Sequence, residues 1–234
     1  MTIKAVIFDL DGTLVNFNLD IKSIRAETIQ FFSGQGYPSS LFSLNENIFK
    51  MLEKLQAYMK NKGDEGEERK FTKMKKTVMS IVDRYELKAN QTTNLMPRVL
   101  ETIRALRKMG LKIALFTIRG TKSTNHLLKR YDLNRFFNAI VTREDTVAVK
   151  PDPAHLEDVL KILDVKPSEA IVVGDSVLDM KCARKLNMIA VGVNTGLASL
   201  MELTHAEATY LISSITDLLT LIRQLEQSSE KDCL

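Results

Sequence analysis

At 234 residues, the chain is long enough for one to two domains and for a core that needs neither disulfides nor a structural metal. Hydrophobic residues make up 44% and charged residues 26%, which excludes wholesale disorder, and a net charge of +4 is too mild to imply a nucleic-acid partner. Cys182 and Cys233 stand far apart, and His126, His155 and His205 lack metal-ligand spacing, so a disulfide framework and a zinc cluster are excluded and a reducing compartment is expected. No run approaches the ~18 apolar residues of a membrane span. The sequence enters its first apolar run at Ile3, with no room for a signal peptide ahead of it. The expectation is a cytoplasmic protein with no membrane partner.

In chain order, Ala5–Phe8 reads as a buried strand. From Phe17 to Thr93 the pattern turns helical, with helices expected over Ile21–Phe32, Leu44–Met59 and Phe71–Tyr85 and a polar loop over Lys62–Arg69. Beyond Pro97 the spacing predicts a helix over Leu100–Met109, stopped by Gly110, then a strand over Lys112–Thr117. Helices follow over Thr124–Tyr131, over Ala154–Leu163 behind Asp152-Pro153, over Leu178–Leu186 and over Ile215–Leu225. Strands are expected at Ala139–Thr142, Ala170–Val173 and Ile189–Val193, and a polar tail at 229–234. Strands alternating with helices imply an α/β class with a parallel sheet covered on both faces. The expected division is a discontinuous α/β unit (1–16 and 94–228) interrupted by a helical insertion (17–93). Between Val15 and Leu95 there are 13 Lys+Arg against 10 Asp+Glu, so the basic excess lies mostly in the insertion.

Four short segments carry chemistry, each at a strand–loop boundary. The first strand ends in Asp9-Leu10-Asp11-Gly12-Thr13. Residues two apart on a strand project to one side, so Asp9 and Asp11 can share a site at the carboxyl end of the sheet, where ligands bind in open α/β folds. Gly12 permits a sharp turn. Two close carboxylates suit a hard cation such as magnesium, or a division into nucleophile and acid/base. A second buried strand ends in Gly174-Asp175-Ser176-Val177-Leu178-Asp179, adding two more acids. With Asp9 and Asp11 they make four carboxylates at strand ends, which points to a divalent metal. Thr117 closes the strand before Ile118-Arg119-Gly120, where its hydroxyl and nearby backbone N–H groups can hold phosphate oxygens. Lys150, ahead of Pro151, can neutralise a phosphate and the acids.

Taken in order, this set resembles the haloacid dehalogenase-like hydrolase superfamily in all four of its motifs, and Val172 to Gly196 looks most like its phosphoglycolate-phosphatase-type members. The resemblance implies a Rossmann-like core, with the helical insertion as a type-one cap. It implies that Asp9 is the nucleophile, forming an aspartyl-phosphate, and that Asp11 protonates the leaving oxygen and then activates water. It places Mg2+ on the Asp9 carboxylate, the Asp11 backbone carbonyl and the Asp175 carboxylate, with Asp179 supporting from nearby. Thr117 and Lys150 would hold the transferring phosphoryl group. Thr13 would orient the aspartates, and Gly12, Ile118 and Arg119 would belong to the substrate-binding set. Asp11 excludes the dehalogenase branch, which lacks an acid there. The implied activity is a magnesium-dependent phosphatase acting on a small phosphate ester. The alternative is a β-phosphoglucomutase-like phosphomutase, in which a second sugar hydroxyl replaces water as acceptor.

Other features read as structural. His126 and His155 are expected at the surface or boundary of their helices. The Lys73, Lys75 and Lys76 cluster reads as a solvated helix face, and Phe42, Phe49, Met51, Tyr58 and Met59 as core of the insertion.

Overall fold

The computed structural model describes residues 2–62 and 66–231, with side chains to 228. Its elements are β1 (Ala5–Phe8), α1 (Ile21–Gly34), α2 (Ile48–Lys62), α3 (Glu67–Ala89), α4 (Val99–Lys108), β2 (Lys112–Phe116), α5 (Thr121–Arg130), β3 (Ala139–Val141), α6 (Ala154–Leu163), β4 (Ala170–Gly174), α7 (Val177–Lys185), β5 (Ile189–Val193), α8 (Leu200–His205), β6 (Tyr210–Ile212) and α9 (Asp217–Lys231). The five expected strands form, each within a residue of its expected bounds. β6 and α8 are additions to the sequence reading. Helix α3 starts at Glu67, so the last part of the expected Lys62–Arg69 loop is helical; residues 63–65 lie outside the described residues. Helix α9 continues to Lys231, which replaces the expected tail over 229–231. Cys233 and the rest of that tail lie outside the described residues.

The chain divides into two compact units, Met1–Phe17 with Thr92–Leu234, and Asn18–Gln91. The first unit holds a six-stranded sheet, all parallel, in the order β3-β2-β1-β4-β5-β6. This is the Rossmann-like α/β fold. Strand side chains alternate between two cores. Val6, Phe8, Ile113, Leu115, Ile171 and Val173 face one core, completed by Val99, Ile103 and Leu106 of α4, Leu127 and Leu128 of α5, and Leu218 and Ile222 of α9. Ala5, Ile7, Ala114, Phe116 and Val172 face the other, packed by Leu156, Val159 and Leu160 of α6 and Met180 and Ala183 of α7. Burial on both faces explains why β1 reads as an unbroken apolar run rather than an alternating one. The spacing of Val99, Ile103 and Leu106 gives α4 its single buried stripe, and Gly110, at φ +82°, lets the chain leave the helix in the left-handed region. Truncating a fully buried member such as Ile103 to Ala removes about 2–5 kcal/mol.

The topology positions the site. The chain runs from β1 outward through β2 to β3, then returns to the other side of β1 for β4. The strand order therefore reverses between β1 and β4, and their carboxyl ends flank the crevice where such sheets bind ligands.

The second unit is built from α1, α2 and α3. Asp20 caps α1 by accepting from the Ser23 N–H at 3.0 Å. The core is Phe32, Phe42, Met51, Leu55, Met59, Met74 and Val78, with the Phe32 and Phe42 rings 4.7 Å apart. Tyr58 packs at its edge, and Phe49 is half-buried. Arg84 and Tyr85 of α3 both reach Glu27 of α1, which fixes the pairing of these helices.

Candidate active site

Asp9 follows β1 directly and extends its ladder, its N–H donating to the Val173 carbonyl at 2.9 Å. The chain then folds back on itself, with the Gly12 N–H on the Val15 carbonyl at 2.7 Å and Gly12 at φ +84°. Asp175 follows Gly174, the last residue of β4. One turn on, Asp179 closes a capping box with Ser176: the Ser176 hydroxyl donates to Asp179 Oδ2 at 2.6 Å. Lys150 comes from the loop between β3 and α6. Its Nζ donates to Asp9 Oδ1 at 2.5 Å and to Asp179 Oδ1 at 2.7 Å. Residues from three distant parts of the sequence thus meet at the carboxyl ends of β1 and β4.

Asp9, Asp175 and Asp179 are buried, and their nearest carboxylate oxygens lie within 4.8 Å of one another. Burial pushes the Asp9 carboxyl well above the usual carboxylate range, against the pull of Lys150, and the charges of Asp179, Asp175 and Asp11 add to the rise. Burial likewise raises Asp175 to about 6, with the Asp179 charge adding and the Leu197 N–H opposing. For Lys150 burial acts downward, but Asp179 and Asp9 more than offset it and the ammonium is held. Three buried carboxylates and one ammonium leave a formal charge of −2 if all are ionised. An all-oxygen donor set short of two positive charges fits a hard divalent cation. The backbone leaves space there: a Cβ built at Gly12 or at Gly196 would overlap the Asp175 carboxylate, and one at Gly174 would overlap Asp179.

Asp11 stands outside that carboxylate group. Its side chain pairs with Arg119, whose Nε donates to Oδ2 at 2.9 Å and whose Nη2 donates to Oδ1 at 2.6 Å. Arg119 Nη1 also donates to Ser123 Oγ at 2.8 Å. The residue expected to bind substrate therefore directs its guanidinium at the expected acid. Thr117 lies at the end of β2, its N–H on the Val141 carbonyl at 3.0 Å and its hydroxyl accepting from the Arg119 N–H at 3.1 Å. Ile118 is half-buried, and its carbonyl accepts from Arg143 Nη1 at 3.0 Å. The Thr13 hydroxyl donates to Asp175 Oδ1 at 3.3 Å, so it supports one acid directly.

Three contributions escaped the sequence reading. The loop after β5 closes on the acids: the Leu197 N–H donates to Asp175 Oδ2 at 2.7 Å, and the Thr195 hydroxyl donates to the Gly12 carbonyl at 2.7 Å. Phe116 places its ring under Lys150, with Nζ 3.8 Å from the centroid. His155 corrects the expectation of a surface or boundary histidine: it is fully buried beside the Phe116 ring, whereas His126 is exposed, within that expectation. The signal was present, because His155 stands four residues before Val159 and one before Leu156, on the buried face of α6.

A buried Asp9 and a half-buried Asp11 after β1, a lysine bridging two acids and a further acid after β4 are what the four sequence motifs imply for one family. The family described as haloacid dehalogenase-like hydrolase matches residues 6–193 of the chain. The chain belongs to the haloacid dehalogenase-like hydrolase family. Among similar proteins, pyrophosphatase PpaX of Bacillus cereus is 28% identical over 241 residues, covering 97% of this chain and 100% of the relative. The structure of a hydrolase from Pseudomonas syringae is 24% identical, with a TM-score of 0.68, and covers 94% of this chain and 98% of its own. A haloacid dehalogenase superfamily hydrolase of subfamily IA from Geobacter sulfurreducens is 22% identical, with a TM-score of 0.57, and covers 94% and 96%. The two structures establish the fold. Family membership identifies the chain as an enzyme of the hydrolase class, and with the pyrophosphatase relative it supports assignment as a phosphatase of this family. Among the described residues, no helix is long and apolar enough to cross a membrane.

Proposed function

We propose that the chain is a magnesium-dependent phosphatase that hydrolyses a small phosphorylated metabolite through an aspartyl-phosphate at Asp9. The observation that carries this reading is the Lys150 ammonium bonded to both Asp9 and Asp179, inside a group of three buried carboxylates. Asp9 is a poor nucleophile towards an anionic phosphate unless the charge around it is compensated. Lys150 supplies one positive charge at hydrogen-bond distance.

In this reading an Asp9 Oδ attacks phosphorus, the P–O bond to the leaving group breaks, and a protonated Asp11 gives its proton to the departing oxygen. Water then attacks the aspartyl-phosphate, its proton passes to Asp11, and the P–Oδ bond breaks to release phosphate. The Thr117 hydroxyl, Lys150 and backbone N–H groups near Gly12 and Ile118 hold the phosphoryl oxygens. Mg2+ would be held by the Asp9 and Asp175 carboxylates and the Asp11 backbone carbonyl, with Asp179 orienting Lys150 beside it. When bound it supplies charge neutralisation for an in-line displacement. The unit Asn18–Gln91 is the cap and contributes to substrate choice. The mild positive balance of the chain fits a small anionic substrate better than nucleic acid, and the expected compartment is the cytoplasm. The Bacillus cereus relative is named a pyrophosphatase, which makes pyrophosphate one candidate.

The test is phosphate release by purified protein with Mg2+ from nitrophenyl phosphate, pyrophosphate and a metabolite panel, with Asp9→Asn as control. Activity that survives Asp9→Asn would overturn the mechanism. Product analysis with a labelled sugar phosphate separates hydrolysis from the phosphomutase alternative, in which the label moves between hydroxyls and no phosphate is released.

A further inference from the structure

Behind Lys150 stands a small aromatic assembly that the mechanism does not use. The ammonium gives hydrogen bonds to Asp9 and Asp179, and another of its sides meets the face of Phe116 at 3.8 Å from the ring centroid. Lys150 is buried, so the ring stands where water would otherwise solvate the charge. The face of an aromatic ring is electrically negative, and its attraction for a cation grows when both are desolvated. Phe116 is the last residue of β2 and immediately precedes Thr117.

The ring is itself braced. His155 lies nearly edge-on to it, with centroids 5.5 Å apart and planes at 64°. His155 Nε2 is 3.2 Å from the Val141 carbonyl. A carbonyl can only accept, so Nε2 carries the proton. The same carbonyl accepts the Thr117 N–H at 3.0 Å, and Val141 is the register partner of Phe116. His155 Nδ1 is buried with no hydrogen-bond partner among the described residues. An unpaired buried nitrogen costs stability that an apolar side chain would not. The imidazole's polar contact thus goes to the carbonyl that also accepts the Thr117 N–H, while its ring packs against Phe116.

We propose that Phe116, braced by His155, is a positioning residue that holds the Lys150 ammonium between Asp9 and the transferring phosphoryl group. The proposal rests on the phosphatase reading above for its kinetic consequence, and on geometry alone for its placement.

Incorporating 4-fluoro-, 3,5-difluoro- and 3,4,5-trifluorophenylalanine at position 116 weakens the negative face of the ring stepwise while nearly keeping its shape. The expected result is a graded fall in kcat/KM for phosphate release with Mg2+, reaching roughly 10- to 30-fold at the trifluoro ring, with a nearly unchanged thermal midpoint. Equal rates across the series would overturn the proposal, since a purely structural ring tolerates fluorine. The second measurement needs no turnover. In protein labelled with 13C-lysine, the ε-methylene resonance of Lys150 is expected upfield of the other lysines through the ring current of Phe116, and displaced towards them in Phe116→Leu. An ordinary shift in the native protein overturns the placement. If the native protein releases no phosphate from any substrate, the phosphatase reading fails, and the resonance decides the placement by itself.

Discussion

The guanidinium of Arg119 engages both carboxylate oxygens of Asp11, at 2.9 and 2.6 Å, while Asp11 stands outside the group formed by Asp9, Asp175 and Asp179. A paired donor fork fixes both the position and the plane of a carboxylate, which a single lysine donor cannot do. Two aspartates separated by one residue thereby acquire different surroundings. Asp9 faces an ammonium and two acids, and Asp11 faces a guanidinium.

If Arg119 positions Asp11 for proton transfer, its loss falls hardest on substrates whose leaving group needs a proton. In Arg119→Met, release of phosphate from alkyl esters is expected to drop by about 10²- to 10⁴-fold, the usual contribution of a positioned acid or base. Release from nitrophenyl phosphate, whose leaving group departs unprotonated, is expected to drop far less. Steady-state kinetics on the two substrate types checks this, and an equal loss on both would assign Arg119 a general structural role.

Lys150 is a buried cation paired with Asp9 and Asp179, two of the three clustered buried carboxylates. Removing it in Lys150→Met leaves uncompensated charge in the interior, and the metal-free protein is expected to lose about 3–5 kcal/mol of stability. Urea unfolding measures the loss. Added Mg2+ is expected to recover part of it, because a cation in the same site offsets the same acids.

Gly196 has no room for a side chain against the Asp175 carboxylate. Native protein at one hundred times its Mg2+ dissociation constant is expected to gain about 2.7 kcal/mol from ligand linkage. In Gly196→Ala the displaced Asp175 is expected to remove most of that gain. Urea midpoints with and without Mg2+ compare the two proteins, and an undiminished gain in the variant would show that Asp175 is not a ligand.

Burial lowers the His155 imidazole to about 4, and the Lys150 charge adds to the fall. The unfolded chain, with an ordinary histidine near 6.5, therefore binds a proton that the native state refuses between these two values. The stability from neutral His155 is present above about pH 6.5 and is lost as the pH falls towards 4, by about 3 kcal/mol in all. His155→Leu is expected to flatten this part of the stability curve, as read from urea midpoints across the range.

Much of this could be read from the sequence, and the failures have physical causes. Strands β1 to β5 were legible because each is a short, doubly buried apolar run. β6 was not, since Tyr210 and Leu211 are exposed and three residues make no pattern. α8 has six residues, too few for a helical period, and only its Ser199–Glu202 capping box marked it. The first turn of α3 and the last turns of α9 are polar and carry no apolar stripe, so α3 begins before, and α9 ends beyond, its expected bounds. At the site, Asp9, Lys150, Asp175 and Asp179 were placed by type and position along the chain. The destination of the Arg119 side chain was not, because Asp11 lies 108 residues away and only folding brings them together. Thr195 and Leu197 were hidden for the same reason: their contacts are one hydroxyl and one backbone N–H from a loop without charge.

The position of β1 in the sheet also bears on how the chain is made. Ala5 pairs with Lys112 on one side and with Ala170 on the other. The strand that ends in Asp9 is translated first among the six and cannot satisfy both of its hydrogen-bonding edges until β4 has been synthesised. Until then the nascent chain carries four apolar residues with an open edge, a template for pairing with the wrong strand. Fragments ending before Ala170 are therefore expected to aggregate or to stay with chaperones, and the candidate active site comes together only when β4 closes against β1, the first of the six strands to be made.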